Sequence, residues 1–147
     1  MLRYAAILTA LVCASAIAAP VPKVKVKDAE AIQGNWKVVE LTHDGKLADK
    51  DYQGASATLD KDSFVVKETN RKADESMSYK IDAEKKQIDL TPKNVGVDLH
   101  LQGVYELDGD TLMMAISMGG KGERPKEAKS GPGVAFIKMQ RIKEEKK

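Results

Sequence analysis

At 147 residues the chain is long enough for one hydrophobic core. A formal charge of +2, with 24 basic residues scattered among 22 acidic ones, excludes the one-sided cationic face of a nucleic-acid binder. The single cysteine, Cys13, excludes a disulfide framework.

Arg3 is followed by an apolar run from Ala5 to Ile17 and by the small residues Ala16-Ile17-Ala18. That order is expected of a secretory signal peptide cut after Ala18, since a cut after Ala19 would leave Pro20 at the new N-terminus. The apolar run is 13 residues long, short of the roughly 20 that a transmembrane helix needs. Cys13 leaves with the signal, because Ala10-Leu11-Val12 does not form a lipoprotein processing site. The expected mature protein therefore has no thiolate for catalysis or zinc and lies outside the cytoplasm: secreted, periplasmic or in the cell envelope. Without Arg3 its formal charge falls to +1.

Residues 19–27 read as an extended leader, 28–142 as one domain and 143–147 as a charged tail. Asp28 to Gly34 carries a capping acid, helix formers and a terminal glycine, which predicts one short helical turn. Beyond it, apolar-alternating segments recur between turn residues, the pattern of an all-β domain. The first strand is expected at Asn35 to Thr42, ended by His43-Asp44-Gly45-Lys46, with Leu47 to Gln53 as a loop or single helical turn. Hairpins follow at Ala55 to Leu59 with Phe64 to Glu68, at Ser76 to Ile81 with Gln87 to Leu90, and at Val97 to Leu107 with Thr111 to Ser117. A long connection rich in glycine, lysine and proline, Met118 to Gly133, reads as a lid, a contact surface or a disordered loop and leads to the last strand, Val134 to Ile142. Eight strands with short connections suit an antiparallel up-and-down barrel, which removes exposed edges. The rival immunoglobulin-like sandwich usually carries a Cys-Trp-Cys core, absent here.

Alternation assigns Leu99, Leu101, Gly103, Tyr105 and Leu107 to one face of their strand, and Leu112, Met114, Ile116 and Met118 to one face of the next. Such faces are core, or, where methionine is abundant, the wall of an adaptable apolar cavity. No nucleophile, base and orienting group are apparent together, and the mature chain has only two imidazoles. His43 is expected as a solvated turn residue, and His100, beside Gln102, points outward or to the rim. No metal-ligand spacing is present, and Gly119-Gly120-Lys121-Gly122 opens a loop where a phosphate site would need a helix. Acids such as Asp74, Glu75, Glu84 and Asp89 read as solvated, leaving a carboxylate-based hydrolase as a remote alternative.

Two stretches, Ile32-Gln33-Gly34-Asn35-Trp36-Lys37-Val38-Val39 before His43-Asp44-Gly45-Lys46, and Gly103-Val104-Tyr105-Glu106-Leu107-Asp108-Gly109-Asp110-Thr111-Leu112, are joined by Ile88-Asp89-Leu90-Thr91-Pro92 and Glu123-Arg124-Pro125. Together they resemble the lipocalin-like domain of exported planctomycete proteins, over about Ala31 to Arg141. The resemblance implies a barrel, export and no known enzymatic activity. Gly34-Asn35-Trp36 is also similar to the lipocalin G-x-W, which implies a plug formed by Gly34, Trp36 and a covering Arg141, with Lys138 behind it. His100, Met114, Met118 and Arg124 are the candidate contacts for a ligand or partner. The expected protein is a monomeric, non-enzymatic binding domain without cofactor, taking a small apolar ligand or an envelope partner at its mouth and loops. The alternative is a packed structural module of the cell envelope.

Overall fold

The computed structural model describes residues 28–48, 52, 54–68, 74–93, 95–119 and 122–143. The segments expected as signal peptide and leader, and residues 144–147, lie outside the described residues. Asp28–Ala31 forms helix α1, followed by nine strands: β1 Gly34–His43, β2 Lys46–Leu47, β3 Ser56–Asp60, β4 Ser63–Lys67, β5 Glu75–Asp82, β6 Gln87–Pro92, β7 Leu101–Asp108, β8 Thr111–Ser117 and β9 Val134–Arg141. From β3 to β9 each strand pairs antiparallel with the next, β1 pairs with β3, and β9 returns to β1. The fold is thus a closed, eight-stranded, antiparallel up-and-down barrel with β2 as an extra strand.

Local chemistry explains most strand ends. Asp44 and Gly45 both adopt left-handed backbone angles, with φ of 51° and 74°, forming the tight turn that Asp-Gly favours. That turn folds Lys46 and Leu47 back onto His43 and Thr42, so a short strand stands where a loop was expected from Leu47 onward. β7 starts at Leu101, four residues later than expected at Val97. The β6–β7 ladder ends at Leu90 opposite Leu101, and further on β6 ends in Pro92, which has no N–H to donate.

Most of the interior is filled. Trp36, Tyr105, Phe64, Ile32, Leu59, Ile88, Leu90, Leu112, Met114 and Met139 are all essentially inaccessible to solvent. Leu101 and Leu107 pack against this core, but Leu99 lies in the preceding loop and outside the core cluster. Gly103 is required by crowding, because a β-carbon there would stand 2.6 Å from the Ala115 carbonyl oxygen.

A second, smaller apolar cluster lies outside the barrel wall. Val104, Ala115 and Phe136 face outward and are covered by Ala128 from the 118–133 connection. Residues 122–133 of this connection, where long loops on rigid scaffolds would suggest a lid or a contact surface, form a strap laid down the barrel's side. Arg124 anchors it by donating Nη1 to the carbonyls of Gly103 (2.6 Å) and Ile88 (3.2 Å) and Nη2 to Asp89 (2.6 Å). Ser130 Oγ meets Thr42 Oγ1 at 2.6 Å, and Gly133 N–H donates to Asp44 Oδ1 at 2.7 Å.

One irregularity decides which residues face inward. The β1–β9 register slips between Val38 and Glu40, so Val39 is an extra residue, a β-bulge. Before it Trp36 and Val38 point inward. After it the inward positions are Leu41 and His43, the opposite parity.

Candidate functional site

The barrel has one end closed by α1 and the β3–β4, β5–β6 and β7–β8 turns, and one end ringed by the remaining loops. At the closed end Trp36 is fully buried and its Nε1 donates to the Ile32 carbonyl at 3.0 Å. Arg141, opposite Trp36 in the ladder, holds its guanidinium 4.2 Å from the indole centroid. It also donates to the carbonyls of Gln33 (2.8 Å) and Ala31 (2.5 Å). Gly34, at φ 130°, lies so close that a β-carbon would stand 2.9 Å from Arg141 Nη1. The structure therefore brings Gly34, Trp36 and Arg141 together. Lys138, placed behind Arg141 in the sequence reading, lies opposite Met113 on the outward-facing register.

The second device of this end is polar. Tyr105 donates its hydroxyl to Asp28 Oδ2 at 2.8 Å, and Lys86 pairs with the same carboxylate oxygen. Burial, followed by the hydrogen bond to Asp28, pushes the Tyr105 phenol well above its ordinary range. These groups tie α1 to the barrel floor.

The open end holds a cavity of about 110 Å³. Its walls are Val38, Leu41, Phe64, Val66, Met77 and Ile137, and its polar residues are His43, Tyr52 and Glu75. His43 was expected as a solvated turn residue; the Val39 bulge turns it to line this cavity instead. Its Nδ1 is buried and makes no hydrogen bond among the described residues. Nothing in the sequence marks the bulge, so the alternation of β1 alone would place His43 with the outward set.

The four candidate contacts do not converge. Met114 is fully buried in the core, while Met118 is 42% exposed at the open end. Arg124 is committed to the strap anchor. His100 precedes β7 on the outer face, where Nδ1 stands 3.1 Å from Thr91 Oγ1 and Nε2 3.1 Å from Asp98 Oδ1. The acids are likewise dispersed: Asp74 approaches Lys67 at 4.0 Å, Asp89 holds Arg124, and Glu75 lines the mouth.

Two grooves of about 500 Å³ each lie outside the barrel. One runs beside the strap over Val104, Met113 and Ala128, bordered by Lys86, Lys126 and Lys129. Within it Lys129 pairs with Glu127 at 2.5 Å, which holds the carboxyl below and the ammonium above their usual ranges. The other crosses β5, β6 and β7 and is lined by Ser78, Lys80, Asp89, Thr91, His100 and Gln102. Period-two alternation in each strand identifies these residues as outward, but only the register sets them side by side. No family model matches the chain, and no curated protein or solved structure matches it.

Proposed function

We propose that this is an exported, non-enzymatic, lipocalin-like binding domain whose open mouth receives a short apolar group. The carrying observation is the 110 Å³ cavity with apolar walls and a polar rim. Its size limits the occupant. Sites for drug-sized ligands span about 300–1,000 Å³, and a cavity of roughly 150 Å³ takes a benzene. The occupant is therefore a group of a few carbons: the end of an aliphatic chain, or an aliphatic side chain of an envelope partner. Export is supported by the order of charge, apolar run and small residues in Met1 to Ala18. The lipocalin-like assignment is supported by the barrel and by Gly34, Trp36 and Arg141 at its closed end.

A second reading, a packed envelope module with no ligand, is favoured by the ten large side chains that are fully buried in the barrel. Titration of ¹⁵N-labelled protein with 1-pentanol separates the two. The binding reading expects saturable shifts at the amides of Val38, Leu41, Val66, Met77 and Ile137, abolished in Val66→Phe, which fills the cavity. Non-saturating shifts, or shifts unchanged in that variant, leave the packed module.

A further inference from the structure

We infer that the outer face of β5, β6 and β7 is a second binding site, separate from the mouth, for a neutral saccharide. The first reason is size. This groove, at about 500 Å³, lies within the range of small-ligand sites, whereas the barrel cavity falls below it.

The second reason is how the strands array the side chains. Ser78 stands opposite Thr91, and Lys80, Asp89 and Gln102 stand in one row across three strands. Neighbouring strands lie about 4.8 Å apart, close to the span of one sugar ring. Tyr79 and Leu90, the intervening residues, point into the core, so the rows are held on a rigid wall.

The chemistry of the rows is the third reason. A sugar hydroxyl both donates and accepts, so its recognition needs donors and acceptors interleaved. Lys80 donates only, Asp89 accepts only, Thr91 and Gln102 do both, and Ser78, which donates to the Thr91 carbonyl at 3.4 Å, keeps its oxygen to accept. Two of the groups are pre-set. Arg124 fixes Asp89 at 2.6 Å, and His100 holds Thr91, with Nδ1 3.1 Å from Thr91 Oγ1 and Nε2 3.1 Å from Asp98 Oδ1. Lys80 and Arg124 are answered by Asp62, Asp89 and Asp98, so the face offers no excess of positive charge to a phosphate or a polyanion. Among the described residues the strap covers the β7–β9 side and reaches this face through Arg124 at its margin.

The test is titration of the ¹⁵N-labelled protein with cellotriose, mannotriose, xylotriose and trigalacturonate. At least one neutral trisaccharide is expected to shift the amides of residues 78–80, 89–91 and 100–102 while leaving those of Val38, Leu41 and Val66 in place. Gln102→Ala, and independently Thr91→Val, should weaken that binding about tenfold with little change in melting temperature, as loss of a paired polar group does. The inference is overturned if no neutral trisaccharide moves these amides, if the shifts map elsewhere, or if trigalacturonate binds more tightly than the neutral sugars. Because 1-pentanol reads the mouth and the sugars read the outer face, either site can fail alone.

Discussion

Trp36 supplies at once the largest buried side chain among the described residues, a donor to the Ile32 carbonyl just after α1, and the surface on which Arg141 rests. Truncating it leaves a cavity at the barrel floor and removes the ring beneath a partly buried cation. Trp36→Ala is expected to cost about 3–5 kcal/mol, measured by urea denaturation; a variant as stable as the parent would refute the plug. Tyr105 gives a pH signature. Its folded-state phenol ionises at higher pH than an unfolded one, so its contribution is fully present below about pH 10, the ordinary tyrosine value. Above that pH the unfolded chain releases its proton first and stability falls. Tyr79 acts with the same sign, raised by burial and then by Asp60 and Asp62. Tyr105→Phe should therefore make the fall in melting temperature between pH 9 and 11 shallower without abolishing it. Equal slopes in variant and parent would rule this out.

Among the elements, the strap departs furthest from what its composition suggests. Glycine, proline and lysine make 118–133 read as an exposed lid or a disordered loop, yet Ala128 closes over Val104, Ala115 and Phe136, and Arg124 binds two strand carbonyls. Its anchoring depends on charge-assisted hydrogen bonds from a side chain with only 20% of its surface exposed. Arg124→Met is expected to lower stability by about 2–3 kcal/mol and to speed amide exchange across 118–133, with β1 to β5 little changed. Exchange that accelerates uniformly over all strands would show that the strap is part of the global unfolding unit. Its role was hard to read from sequence because Arg124 carries no local mark of its acceptors, Ile88 and Gly103, which are 36 and 21 residues away. The β1 bulge is a similar case. One extra residue exchanges the faces of Leu41 and His43, and no composition signal distinguishes Val39 from its neighbours.

On the scale of the molecule, closure joins β1 to β9 from Trp36 opposite Arg141 to His43 opposite Ala135, so no barrel strand is left as an open edge. That architecture, the eight main strands and most of their turns were legible in the sequence. Alternation, Asp-Gly turns and short connections are properties of neighbouring residues, and they act before any distant contact forms. The inward set of β8, with Leu112, Met114 and Ile116, follows from the same local rule. Three features needed the tertiary structure: how much space the packed interior leaves, which way His43 faces, and which polar side chains of β5, β6 and β7 share a groove. Each depends on strand register and on the fit between residues far apart in the chain. A one-residue slip in register leaves local pattern almost unchanged but moves a side chain from the barrel wall to its interior.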